Sequence, residues 1–146
     1  MMYAQGLSFQ GYTGLLNIPT ATVASHGQVD AYYADQLFYR GRYTHNQNVF
    51  GNFGIFPNVE VGGRLSWDET HSNCFTEGCG DLRDLSANIK VVLPFIPQDW
   101  FSVAIGAQDV GGAASRFESQ YGVVGRQFGP LEVHAGLGRT KARDRY

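Results

Sequence analysis

The chain contains, at residues 49–67, the segment VFGNFGIFPNVEVGGRLSW, in which two alternating runs meet at Pro57-Asn58. In the second run apolar side chains fall on odd positions and polar ones on even positions, which is the period of a strand with one apolar face. A Pro-Asn pair breaks a strand and closes a tight turn. The segment therefore predicts a β-hairpin with arms of about ten residues, long enough for tilted strands to cross a bilayer.

The composition favours strands and gives no electrostatic case for binding nucleic acid. The chain has 146 residues, a net charge of −2 and a pI near 6.0. Charged residues make up 16%, below the roughly 25% of soluble domains, while Gly (19), Tyr (8) and Phe (10) are plentiful. Because no run approaches the roughly 18 apolar residues of a membrane helix, any membrane-spanning form has to be a β-barrel.

The rest of the chain repeats the alternation of the hairpin. Residues 1–27 form an extended lead-in, which supplies either a first strand or a segment inside the barrel, and residues 28–146 supply the barrel strands. Alternation predicts strands at 28–38, 46–56, 59–68, 85–93, 100–108, 116–128 and 131–139. In the sixth of these, Tyr121 and Val123 are predicted to lie on the face opposite Arg126. We expect an all-β antiparallel transmembrane β-barrel of about eight strands, or part of a larger one.

The connections between the strands indicate which end of the barrel faces the periplasm and which faces the cell exterior. Every second connection is short and contains proline, and the intervening ones are longer. Outer-membrane barrels have short periplasmic turns and longer extracellular loops, with aromatic girdles near the strand ends. The candidate girdle residues are Phe56, Trp67, Trp100 and Phe128. A soluble ligand-binding β-barrel is the alternative, but the polar face carries many glycines and both signs of charge, which favours an enclosed interior.

The two cysteines lie in the longest polar loop, residues 69–84. Cys74 and Cys79 are separated by four residues, which allows a disulfide that closes a small loop in an oxidising compartment. A zinc site is the rival interpretation, but two sulfurs and His71 do not complete a tetrahedral set. A disulfide is favoured, and no metal or cofactor is predicted.

Polar residues on the even face are candidates for the barrel lumen. They are Glu60, Arg64, Lys90, Arg126, Glu132 and His134. Such a lumen either contacts a bound or passing glycan or is filled by charges that pair across strands, and the second interpretation is favoured because narrow barrels have packed interiors. No catalytic residue is predicted, since the adjacent His71 and Ser72 would point to opposite faces of a strand.

Three segments carry a family resemblance: residues 14–21 (GLLNIPTA), 56–64 (FPNVEVGGR) and 121–138 (YGVVGRQFGPLEVHAGLG). They resemble the YjbH-like outer-membrane proteins associated with exopolysaccharide production, which are longer than this chain. The resemblance implies the N-terminal portion of a porin-like, Gram-negative outer-membrane barrel, its signal peptide already removed. It also implies a role in export or assembly of surface exopolysaccharide. The implied partners are outer-membrane lipid, lipopolysaccharide, polysaccharide and export-machinery proteins. The alternative within the membrane class is a small structural or pore-forming barrel without a glycan role.

Overall fold

A computed structural model describes residues 6–35, 46–68, 82–97, 100–110 and 118–140. Every regular element within these ranges is a β-strand. The strands are β1 (Gly14–Leu15), β2 (Ile18–Pro19), β3 (Val29–Asp35), β4 (Asn46–Phe56), β5 (Val59–Asp68), β6 (Leu82–Val92), β7 (Ser102–Gln108), β8 (Ser119–Phe128) and β9 (Leu131–Thr140). In the described part of the chain, no helix has the length and apolar character needed to cross a bilayer.

Strands β3 to β9 form one antiparallel sheet in sequence order, curled into a half-barrel. Each strand pairs with its neighbours along the chain, so the topology is a meander. The all-β antiparallel prediction is confirmed, and the seven predicted strands correspond one to one to β3–β9. The largest shifts among their bounds are the earlier start of β6, at Leu82, and the later start of β8, at Ser119.

The hairpin predicted around Pro57-Asn58 is formed by β4 and β5. Val49 pairs with Leu65 and Phe53 with Val61, so apolar residues of the two arms lie opposite each other on one face. The register shifts between Gly54 and Phe56, a β-bulge next to the turn. Such a bulge increases the local twist, which favours the curl of the sheet.

The two faces of the half-barrel differ in polarity. Large apolar side chains are exposed on the convex face, among them Val49, Phe53, Leu65, Leu85, Ile89, Ile105, Val124, Val133 and Leu137. Polar side chains are buried on the concave face, among them Asn48, Asn52, Glu60, Ser86, Asn88 and Lys90. This arrangement is the reverse of a sheet in water, whose apolar face packs on a core.

The concave face is covered by residues 6–27, which we call the N-terminal strap. The strap contains β1 and β2 and buries Tyr12, Thr13, Ala21 and Ala24. Its backbone approaches that of the sheet closely: a Cβ added to Gly62 would lie 1.6 Å from the carbonyl oxygen of Gly11. The strap therefore replaces water on the polar face of β4–β6.

The predicted orientation of β8 is wrong. Val123 and Gly125 are buried on the concave side, whereas Arg126 is exposed on the other face, with its Cζ atom 4.9 Å from the centroid of the Phe128 ring. The cause is that this part of the concave face is apolar. Val123 belongs to a small buried cluster formed by Ala21, Val92, Ala104 and Val123. A prediction from side-chain polarity alone therefore exchanges the inner and outer faces of β8.

Candidate functional site

A buried ion pair lies at the centre of the concave face. Glu60 on β5 and Lys90 on β6 are directly opposite in the register, and both are even residues that face inward. Lys90 Nζ lies 2.9 Å from Glu60 Oε1, and both residues are 0% exposed. Burying two charges costs free energy unless further hydrogen bonds satisfy their remaining donors and acceptors. The strap provides those bonds.

Thr13 of the strap contacts both members of the ion pair. Its backbone N–H donates to Glu60 Oε1 at 2.7 Å, and its hydroxyl donates to Glu60 Oε2 at 2.5 Å. Lys90 Nζ donates to the Thr13 carbonyl oxygen at 2.5 Å. The backbone N–H of Ala24 donates to Glu60 Oε2 at 2.7 Å, and Asn52 Nδ2 donates to the Thr13 hydroxyl at 3.0 Å. Both oxygens of Glu60 are thus used to hold the strap.

Tyr12 closes the site next to the ion pair. Lys90 Nζ lies 5.7 Å from the centroid of the Tyr12 ring, and the Tyr12 hydroxyl donates to the carbonyl oxygen of Asn17 at 3.0 Å. Burial raises the pKa of Tyr12 to about 12, and a hydrogen bond with Ser8 opposes the shift only partly. The phenol therefore stays neutral at physiological pH, and its ring face adds a favourable cation–π contact.

A second polar group lies at the turn end of the half-barrel, on β9. The backbone N–H of Ala21 donates to His134 Nδ1 at 3.2 Å, and His134 Nε2 lies 3.1 Å from Glu132 Oε1. Because Nδ1 accepts, the ring proton of a neutral imidazole sits on Nε2 and donates to Glu132. The side chain of Glu132 is 50% exposed. This carboxylate is therefore oriented by the strap through His134 but remains accessible.

Glu132 lines a cavity of about 280 Å³ between the strap and the turn ends of β5–β9. Its lining residues are Ala21, Thr22, Val23, Pro57, Asn58, Val92, Ser102, Gly125, Arg126, Gln127 and Glu132. We call it the turn-end cavity. A larger hollow of about 660 Å³, between Ile89, Ile105 and Leu137, is lined mainly by apolar residues. The turn-end cavity is lined by charged, amide and hydroxyl residues beside a small apolar floor, whereas the larger hollow is mostly apolar.

The structure separates the six predicted lumen residues into distinct environments. Glu60 and Lys90 form the buried pair, Glu132 and His134 lie together at the turn end, and Arg64 is half-buried opposite Phe50 and Ser86 in the register. Arg126 lies on the opposite face of its strand from the predicted one, where its guanidinium packs over the Phe128 ring, and the residue also borders the turn-end cavity.

The remaining predicted residues divide between exposed and undescribed positions. Of the girdle candidates, Phe56, Trp100 and Phe128 are exposed and Trp67 is half-buried. Cys74 and Cys79 lie outside the described residues. Within the described ranges, no three His, Cys, Asp or Glu side chains come together in a way that could hold a metal ion.

Sequence reasoning missed the strap contacts of Thr13, Ala24 and Asn52. Asn52 lies on the even face of β4, so its inward orientation follows the alternation. Thr13 and Ala24 belong to a segment with poor alternation, and two of their contacts with Glu60 use backbone N–H groups, which leave no mark in the sequence.

The fold and the site define an all-β protein whose half-barrel sheet has an apolar convex face and a polar concave face covered by an N-terminal strap. The family described as "Exopolysaccharide biosynthesis protein YbjH" (YjbH) matches residues 6–145, and the chain belongs to this family. The family resemblance seen in the sequence is therefore confirmed.

One curated relative gives the extent of the similarity. The chain is 31% identical over 135 residues to the "Uncharacterized lipoprotein YjbH" of Escherichia coli (strain K12). The match covers 88% of this chain and 18% of that protein, so the chain spans a minor part of the length of its relative. No solved structure matches the chain.

Proposed function

We propose that the chain forms part of the wall of an outer-membrane β-barrel that takes part in export or assembly of surface exopolysaccharide, without enzymatic activity. The observation that carries the proposal is the polarity of the sheet. Leu137 is 88% exposed on the convex face, while Glu60 and Lys90 are fully buried on the concave face. Exposure of many apolar side chains to water is unfavourable by about 25 cal/mol per Å², whereas lipid accommodates them.

The strand lengths support a membrane span. β4 and β6 have 11 residues each, and β5, β8 and β9 have 10 each. A tilted strand needs about 9–11 residues to cross the hydrocarbon core. Most of the sheet therefore has the length that a bilayer requires.

The turns and aromatic residues support an orientation. Phe56 and Phe128 are exposed next to the two tightest turns, and Trp100 is exposed near the same end of the sheet. Aromatic rings at strand ends are typical of the membrane–water interface. We place this end at the periplasmic interface and the loop with Cys74 and Cys79 on the extracellular side, where a disulfide can form.

Family membership supports the link with exopolysaccharide, and the polar concave face supports contact with a hydrated polymer. In this proposal the lipid partners, including lipopolysaccharide, contact the convex face. The polysaccharide and other export proteins act at the interior and the ends of the barrel. The ion pair of Glu60 and Lys90 holds the strap and has no chemical role in a reaction.

A pair of lysine substitutions in the full-length protein tests the membrane assignment. Ile105 lies on the convex face in the middle of the sheet, and Gln120 is exposed near the loop end. Ile105→Lys should cost about 2–4 kcal/mol in lipid vesicles and Gln120→Lys about 0–1 kcal/mol, because the penalty depends on membrane depth. Urea unfolding of the protein in vesicles measures both. Equal, small losses below about 0.5 kcal/mol would indicate a convex face in water.

The orientation has its own test, which uses Cys74. After mild reduction, a membrane-impermeant thiol reagent should label this residue on intact cells. Labelling that occurs only after the outer membrane is opened would reverse the proposed orientation.

The exopolysaccharide role is tested by conductance of the full-length protein in planar bilayers. Added polysaccharide should block the current if the polymer enters the interior. An unchanged current would favour a structural or pore-forming barrel without a glycan role.

A further inference from the structure

We propose that the turn-end cavity binds a short saccharide segment, with Glu132 accepting hydrogen bonds from sugar hydroxyls. This inference rests on the proposed function, because it assigns a ligand class to the interior of the same barrel. The proposed saccharide site is separate from the buried ion pair of Glu60 and Lys90, which is bonded to the strap.

The chemistry of the cavity suits a sugar. A saccharide presents hydroxyl groups around its ring and weakly apolar C–H faces. The cavity is lined by a carboxylate residue (Glu132) and two amide residues (Asn58 and Gln127) beside Val23 and Val92. A carboxylate only accepts hydrogen bonds and an amide both donates and accepts them, so together they suit hydroxyl groups in both senses.

The size of the cavity limits the ligand to a short segment. Its volume of about 280 Å³ lies at the lower end of small-molecule sites, which are about 300–1,000 Å³. A few sugar units of a longer polymer fit this description, and the rest of the polymer would extend beyond the opening. Because the cavity lies at the turn end, it faces the side from which a polymer made inside the cell arrives.

Glu132 is held in place before any ligand binds. Ala21 of the strap donates to His134 Nδ1, and His134 Nε2 lies 3.1 Å from Glu132 Oε1. A group that is already oriented loses less conformational entropy on binding. His134 is thus a positioning residue, and Glu132, which is half exposed and lines the cavity, makes the contact with the ligand.

The contrast with Glu60 explains why the site lies here and not at the ion pair. Both oxygens of Glu60 accept hydrogen bonds from protein donors in a site with 0% exposure. Glu132 is instead half exposed beside a cavity that Ala21 and Thr22 of the strap line on the other side. A ligand reaches Glu132 without displacing the strap.

The test uses full-length protein purified in detergent and exopolysaccharide from producing cells, cut by mild acid to short oligosaccharides. Calorimetric titration should detect binding to the unsubstituted protein. Glu132→Gln should raise Kd at least about tenfold, since it removes hydrogen bonds to a charged acceptor. Asp35→Asn, which changes an exposed carboxylate on β3, should leave Kd unchanged. An unchanged thermal midpoint of Glu132→Gln shows that the fold is retained.

The role of His134 has a separate readout. His134→Gln keeps an acceptor and a donor on one side chain, whereas His134→Leu removes both. Affinity should fall more in His134→Leu than in His134→Gln, and equal losses in the two variants would contradict positioning through hydrogen bonds.

The outcomes distinguish this inference from the proposed function. Equal affinity of Glu132→Gln and the unsubstituted protein would overturn the saccharide site, as would absence of binding to a protein that fractionates with the outer membrane. Equal, small losses of stability in Ile105→Lys and Gln120→Lys would instead overturn the membrane assignment, whether or not the oligosaccharide binds.

Discussion

Two parts of the concave face carry a carboxylate beside the strap, and they use it differently. On β5 and β6, Glu60 is fully buried and receives two backbone N–H groups from the strap in addition to Lys90. On β9, Glu132 is linked to the strap through His134 and is half exposed. The same kind of side chain thus fixes the strap at one place and remains accessible at the other.

The difference arises from the residues of the strap. Near Glu60 the chain turns so that the N–H groups of Thr13 and Ala24 converge on one carboxylate. Near Glu132 it contributes Ala21, whose small side chain packs on Val123 and leaves the turn-end cavity beside it. The direction of the strap's backbone N–H groups, which point at Glu60 in one place and at His134 in the other, therefore determines which carboxylate is bonded by the strap.

The largest expected effect is loss of the buried cation. Lys90→Met leaves Glu60 charged and buried without its counter-ion, which should lower the free energy of unfolding by about 3–5 kcal/mol. Arg126→Met removes an exposed cation near the turn-end cavity and should change it by less than about 0.5 kcal/mol. Urea unfolding of the full-length variants in vesicles measures both. Similar small changes in the two variants would show that the buried cation contributes no more to stability than an exposed one.

The hydroxyl of Thr13 should have the next largest effect. Thr13→Val keeps the shape of the side chain but removes the donor to Glu60 Oε2 and the acceptor for Asn52. We expect a loss of about 1.5–3 kcal/mol, the range for hydrogen bonds to charged groups. Thr22→Val, at the cavity, should cost less because Thr22 bonds a neutral hydroxyl. The same unfolding measurement applies, and a greater loss for Thr22→Val would contradict the comparison.

The close contact between strap and sheet predicts a smaller loss at Gly62. The Cβ of Gly62→Ala would collide with the carbonyl oxygen of Gly11, so the strap has to shift, at about 1–3 kcal/mol for overpacking. At Gly122 no atom lies within 4 Å of an added Cβ, so Gly122→Ala is the matched control. Limited proteolysis should cut the strap faster in Gly62→Ala. Equal rates in both variants would mean that the strap is not pressed on β5.

The smallest expected effect is that of Glu132→Gln on stability. Because Glu132 is half exposed and interacts with one histidine, its replacement should change the free energy of unfolding by less than about 0.5 kcal/mol. Glu60→Gln should be far more disruptive. Thermal unfolding of the two variants side by side makes the comparison, and a large loss for Glu132→Gln would assign it a structural role.

The strands could be predicted from the sequence, and most of the site could not. Alternation located β3–β9 and the hairpin at Pro57-Asn58, because each strand has two chemically different faces. The pairing of Glu60 with Lys90 depends on the register of β5 against β6, and the sequence of a connection as long as residues 69–81 does not specify a register. The contact between Ala21 and His134 joins residues 113 positions apart, and it uses a backbone group of the strap.

The prediction of the orientation of β8 was wrong for a related reason. Its sequence carries polar and apolar residues on both faces. Which face points inward therefore depends on what covers the concave side. Val123 lies opposite the buried Ala104 in the register and packs with Ala21 of the strap. A local pattern does not contain this information.

The strap also sets the order in which the molecule assembles. Each strand of the sheet pairs with its neighbour in sequence, so the meander can grow hairpin by hairpin. The strap residues bind partners that lie much later in the chain. Thr13 binds Glu60, 47 residues further on, and Ala21 binds His134. Closing such long loops is slow, so the strap docks after the hairpins that it covers have formed.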